Sequence, residues 1–168
     1  MKVEESSPTY KTFKVSKKRQ DQITTGSTPR SWQIELADLT FTWSNAGDRI
    51  ALLRQGLPYD VIEVVSNQAS LPVKDFLHLL GIAQTTYNKK KREGAVLDSR
   101  HSEMILILTE VLDFGLTVFN DESEKFSRWL SKPNISLGGE CPTHLFDSLT
   151  GIQEVKYCLN RIEYGSLA

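Results

Sequence analysis

At 168 residues, 39% of them hydrophobic and 24% charged, the chain can fill one good core and carry an appendage, and its make-up is that of an ordinary globular protein. Its longest apolar run, Met104 to Leu108, falls far short of the ~20 residues of a membrane helix, and the lysines near its start are not followed by the apolar run of a secretory signal. No membrane association and a cytoplasmic location are therefore expected. The net charge of −1 hides an asymmetry: residues 1–100 hold 15 Lys and Arg against 11 Asp and Glu, and residues 101–168 hold 5 against 10. Unless it is chance segregation, this suits a chain that meets nucleic acid with one part and another partner with the rest.

Residues 1–31 mix Ser, Thr, Lys and Gln without apolar periodicity beyond Phe13, Val15 and Ile23. The basic stretch from Lys11 to Arg19 reads as a solvated tail or as an arm lying along phosphates. Residues 32–45 carry Trp32, Ile34, Leu36, Leu39, Phe41 and Trp43, too apolar to hang free. They fit either a short strand or an extended segment packed on the core. Residues 1–45 thus form an N-terminal extension.

From Asn45 the pattern turns helical. Asn45 can cap a helix through Ile50, Leu52 and Leu53 that closes at Gly56. Pro58 opens a second helix bearing Val61, Ile62, Val64 and Val65, and Pro72 a third bearing Phe76, Leu77, Leu79 and Leu80 that ends at Gly81. A fourth runs from about Ala83 to Arg92, with Gly94 after it. The third and fourth have the layout of a helix-turn-helix: an apolar first helix, a glycine turn, then a polar helix. Gln84, Thr85, Thr86 and Asn88 offer hydrogen bonds to base edges or phosphates, and Lys89, Lys90, Lys91 and Arg92 offer charge to the DNA backbone. The plainer reading is an exposed helix with a charge run.

Asp98 or Ser99 starts the longest helix. Met104 to Leu108 is apolar on every side, which predicts a central, buried element, and Gly115 allows another helix to approach closely. Its apolar positions exceed one buried face, which suggests self-association. Asn120 or Asp121 breaks it, and a short helix with Phe126, Trp129 and Leu130 follows until Lys132-Pro133 stops it. Gly138-Gly139 reads as a turn. Pro142 opens a short helix through His144, Leu145 and Phe146, which Thr150-Gly151 breaks. The last helix sets Ile152, Val155, Leu159 and Ile162 on one apolar stripe and ends at Gly165. The fold class is all-α, with a helix-turn-helix region at 46–98 and a C-terminal helical domain at 99–168.

Catalytic chemistry is hard to find. His78, His101 and His144 lie too far apart in sequence to suggest a metal site by spacing. Cys141 and His144 are the beginning of a nucleophile pair, but Pro142 and its neighbours more simply start a helix. Gly138-Gly139 lacks the Lys-Ser/Thr of a phosphate loop. A Cys141–Cys158 disulfide is geometrically conceivable and disfavoured in the cytosol. No enzyme activity, metal or cofactor is expected.

Ordered motifs say more than periodicity. Trp129-Leu130-x-x-Pro133, Leu137-Gly138-Gly139-x-x-Pro142, Leu149-Thr150-Gly151-x-x-x-Val155 and Leu159-x-Arg161-Ile162-x-x-Gly165 resemble the toxin-binding domain of the MbcA/ParS/Xre antitoxins. Leu77-x-x-Leu80-Gly81-Ile82, the following Q-T-T-Y-N-K-K-K-R, and then Gly94, Leu97 and Ser102-Glu103 resemble the Xre-like helix-turn-helix of the same family, which often has Ser or Thr where this chain has Ala83. The resemblance, over roughly residues 46–168, implies an antitoxin of a type II toxin–antitoxin pair. Such a protein neutralises a RES-domain toxin that consumes NAD, and represses its own operon by binding operator DNA; the paired half-sites that helix-turn-helix proteins use add the expectation of a homodimer within a larger toxin–antitoxin complex. It also implies that the C-terminal end occludes the toxin's NAD site. Arg161, Glu163 and Tyr164 stand there in the last helical turn, followed by Gly165, Ser166, Leu167 and Ala168 with the terminal carboxylate. The alternative is a transcription regulator whose C-terminal domain serves dimerisation or sensing, with no toxin partner.

Overall fold

The structure, a computed structural model, describes residues 30–165. In chain order it comprises β1 (Trp32–Glu35), β2 (Thr40–Trp43), α1 (Ala46–Gln55), α2 (Val61–Gln68), α3 (Val73–Leu80), α4 (Gln84–Arg92), α5 (Ser99–Val118), α6 (Ser123–Leu130) and α7 (Leu149–Glu163). Two 3-10 turns, Ile135–Leu137 and Pro142–Asp147, lie between α6 and α7. The fold is mostly helical, with one small hairpin added to the all-α expectation. The basic stretch Lys11–Arg19 lies outside the described residues.

α5 starts because Asp98 is extended and its carboxylate accepts from the His101 amide at 2.9 Å, giving a partner to an otherwise orphan donor. Met104, Ile105, Leu106, Leu108, Val111 and Leu112 are buried around its circumference. β1, α1, α2, α6 and α7 of the same chain pack against it. The surplus of apolar positions that suggested self-association is therefore covered within the chain.

Residues 32–45 resolve into the strand alternative. The antiparallel register pairs Trp32 with Trp43 and Ile34 with Phe41, and the period of two turns Ile34, Phe41 and Trp43 inward. Polar bonds then fasten this segment to one stripe of α5. Trp43 Nε1 donates to Glu110 Oε1 at 2.8 Å, and Arg49 of α1 reaches the same oxygen at 3.1 Å. Arg30 donates to Asp113 and to the Thr117 hydroxyl, each at 3.0 Å.

Pro58 does not open α2. It sits in a bridge with Val96, where Leu97 N donates to Leu57 O at 2.7 Å, and the helix begins at Val61. The turn between α3 and α4 needs Gly81, whose φ of 70° places it in the left-handed region. Gly115 faces Phe126 so closely that a Cβ there would lie 2.3 Å from the ring. Gly151 overturns an expectation, since it belongs to the first turn of α7. Ser148 makes the break instead: it is extended, and its hydroxyl accepts from the Gly151 amide at 3.1 Å. Glycine is required because a Cβ at 151 would stand 2.1 Å from the Leu145 carbonyl oxygen. Ile152, Val155 and Leu159 are buried, as their spacing predicts, whereas Ile162 is exposed because the helix has by then run past the core.

Candidate nucleic-acid interface and protein-binding end

α4 buries a single side chain, Tyr87. Ala83 supplies no capping oxygen, and the helix begins with the Tyr87 amide bonded to the Ala83 carbonyl at 2.9 Å. Gln84, Thr85, Thr86, Asn88, Lys89 and Arg92 are exposed. Gln84 Nε2 donates to Asn88 Oδ1 at 3.1 Å, so the two amides already share one side of the helix. Lys89 and Lys90 reach Glu93 only at 4.0 and 3.8 Å. Exposed pairs of this kind contribute little and yield easily to a phosphate.

Lys91 departs from the expectation. Its side chain is only 13% exposed, and Nζ lies 2.6 Å from Glu63 Oε1 and 3.6 Å from Asp60 Oδ1 on the α2 side. The Tyr87 hydroxyl donates to the same Glu63 oxygen at 3.1 Å. Burial, reinforced by the Glu63 charge, pushes the Tyr87 phenol up to about 12. Burial opposes the Lys91 charge, but the Glu63 hydrogen bond and the neighbouring charges outweigh it and the net direction is up. Lys91 is thus an anchor of the helix against α2. The signal was present in the spacing: Tyr87 and Lys91 stand four residues apart on the inward side.

His101 joins the helix-turn-helix to α5. Nδ1 lies 2.8 Å from the Asp98 carboxylate, and Nε2 faces the Leu80 carbonyl at the end of α3 at 2.9 Å. The His101 amide and side chain hold the Asp98 carboxyl below its usual range, against a smaller opposing effect of burial.

At the other end, Arg161 Nη2 donates to the Ser136 carbonyl at 3.3 Å, tying the last turns of α7 to the Ile135–Leu137 turn. Glu163, Tyr164 and Gly165 are exposed, and Ser166, Leu167 and Ala168 lie outside the described residues. Sequence reasoning missed three neighbours. Ile135, Tyr157 and Ile162 are 97%, 52% and 44% exposed, beside Tyr164 at 77%. Tyr157 was findable, since it lies four residues before Arg161 and seven before Tyr164, on one helical stripe.

The remaining candidates are held apart. Cys141 Sγ points to the Ser131 carbonyl at 3.4 Å, and His144 Nδ1 lies 3.2 Å from Glu140. Both cysteines are free, and the Asn134 amide donates to buried Cys158 at 3.6 Å. Leu71, Lys74, Asp75, His78, Leu79, Thr143 and His144 line a shallow groove of about 480 Å³ between α3 and the Pro142–Asp147 turn. Among the described residues, no three His, Cys, Asp or Glu side chains are grouped to hold a metal ion, and no helix is long and apolar enough to cross a membrane.

The geometry defines a helical protein with a polar helix displayed after a glycine turn and a tyrosine- and arginine-bearing end. Comparison with known proteins assigns a domain to each region. The family model for the antitoxin Xre-like helix-turn-helix domain matches residues 48–106, and that for the antitoxin Xre/MbcA/ParS C-terminal toxin-binding domain matches residues 115–165. The chain belongs to the Xre/MbcA/ParS antitoxins. It is 26% identical to a protein named Antitoxin Xre from Photorhabdus laumondii, over 73% of this chain and 83% of that one. It is 27% identical to an Antitoxin Xre from Yersinia enterocolitica, over 67% and 76% of the two chains. It is also 27% identical to the Prs ADP-ribosylating antitoxin of Sphingobium sp., over 72% and 81%.

Proposed function

We propose that this antitoxin neutralises a RES-domain toxin that consumes NAD, and that it represses its own operon as a homodimer in the cytoplasm, with no catalysis of its own. The observation that carries this reading is the union, through α5, of an exposed polar helix with a toxin-binding half in one core. Residues 46–98 read DNA and residues 99–168 bind the toxin. Gln84, Thr85, Thr86 and Asn88 meet bases or phosphates, and Lys89, Lys90 and Arg92 meet phosphates. Dimerisation follows from the paired half-sites that helix-turn-helix proteins use.

The name of the Sphingobium relative joins an antitoxin to ADP-ribosylation, whose donor is NAD, and this supports an NAD-consuming toxin. A site for that anionic dinucleotide presents cations and hydrogen-bond donors. The Glu163 carboxylate and the Tyr164 hydroxyl suit such a site, with Arg161 and the segment Gly165, Ser166, Leu167 and Ala168 around its mouth. The test is to delete residues 164–168 and measure toxin binding and NAD consumption together. Binding that persists, weakened by the loss of Tyr164, with lost inhibition is expected; full inhibition by the truncated chain would place the blocking surface elsewhere. Failure of the full chain to hold a RES-domain protein through ion exchange would favour a plain transcription regulator.

A further inference from the structure

Within the toxin-binding half, five large apolar side chains stand in water among the described residues: Ile135, Leu149, Tyr157, Ile162 and Tyr164. Tyr157, Arg161 and Tyr164 form one stripe of α7, at spacings of four and three residues. The Arg161 bond to the Ser136 carbonyl joins that stripe to the turn that carries Ile135. The turn is tightly held. Asn134 Oδ1 accepts from the Ser136 amide at 2.9 Å, and the Asn134 amide donates to the Glu140 carbonyl at 3.0 Å. The Gly139 amide closes back on the Asn134 carbonyl at 2.9 Å, which Gly138 and Gly139 permit with φ of 70° and 87°. The side chain at the tip of this turn is a β-branched hydrocarbon that is almost fully exposed. It contributes nothing to the core, and because the backbone that carries it is already held, the turn loses little freedom when this side chain enters a pocket.

We infer that the toxin docks on this composite face, with Ile135 inserted into an apolar pocket of the toxin and Tyr157, Arg161 and Tyr164 packed along the pocket's oxygen-bearing rim. The inference rests on the antitoxin reading above and gives it a surface that extends well before the chain end. Tyrosine and arginine are the side chains that most often anchor tight interfaces. The toxin is the occupant because Ile135, Tyr157, Arg161 and Tyr164 all lie within residues 115–165, the match to the toxin-binding domain.

The test uses the full chain and a RES-domain toxin, catalytically silenced and immobilised. Ile135→Asp and Tyr157→Ala are each expected to weaken binding by at least about tenfold, Ile135→Leu by less than about threefold. Leu39→Asp, at the exposed hairpin tip outside the matched domain, should change nothing. Wild-type affinity for Ile135→Asp and Tyr157→Ala, with the wild type bound, overturns the docking face and leaves the antitoxin reading intact. Loss of self-association in light scattering with toxin binding unchanged also overturns it, in favour of a second copy. If the wild type itself does not bind the RES-domain protein, the antitoxin reading fails first and the face falls with it.

Discussion

Among the four cations of α4, position on the helix separates two jobs. Lys91 is turned toward Glu63 and Asp60, while Lys89 and Lys90 project to the outside. Lys91→Met should lower the unfolding free energy by about 1–2 kcal/mol, the scale of a charge-assisted hydrogen bond, without changing the salt dependence of DNA binding. The double change Lys89→Ala, Lys90→Ala should do the reverse. Its melting temperature should hold, and the log–log salt slope on promoter DNA should fall by about 1.8, at roughly 0.9 per phosphate contact. An unchanged slope would remove these lysines from the interface. The phenol beside Lys91 gives a pH test. Tyr87 is raised in the folded chain to about 12, so its contribution is complete below the unfolded tyrosine value of about 10 and is lost as pH rises through 12. Lys91, also raised, acts in the same direction. Melting temperature should therefore fall along this alkaline limb, and Tyr87→Phe should flatten it. Asp98 works at the other end: its lowered value means stability that is lost as pH falls below the ordinary carboxylate range.

Among the described residues helix existence was legible from apolar spacing in every helix but α4, which buries Tyr87 alone and was read instead from the glycine turn before it and its polar run. The roles of single breakers were not. Gly81 and Gly151 look alike in a sequence, yet one supplies a left-handed turn and the other a close approach whose partner, Leu145, is known only after folding. The four-residue strands were equally undecided, because two alternations are too few to separate a strand from a packed extended segment. The lysine run hid the turned-in Lys91 because composition alone carries no direction around the helix. The two close-packed glycines make a prediction. Gly151→Ala drives a methyl into a backbone carbonyl, and Gly115→Ala drives one into a phenyl ring. Overpacking at the two sites should cost about 3 and about 1 kcal/mol respectively, measured by urea unfolding. Equal costs would show that the Leu145 carbonyl can yield as readily as the Phe126 ring.

At the scale of the whole molecule, α5 is shared. The hairpin, α1 and α2 lie against it, as do α6 and α7, and the buried side chains form one cluster. Residues 30–165 should therefore unfold in a single cooperative step, with far-ultraviolet circular dichroism and tryptophan fluorescence giving coincident urea transitions. Two separated transitions would mean that the helix-turn-helix and toxin-binding regions are independent domains. The helix-turn-helix match ends at residue 106 and the toxin-binding match begins at 115, both inside α5. This has a consequence for descent. A genetic crossover that exchanged the helix-turn-helix domain between two relatives would have to cut within a helix, joining side chains that were never selected to pack together. The two domains should then be inherited as one unit, and new pairings of their specificities should arise by substitution at the surfaces rather than by recombination of parts.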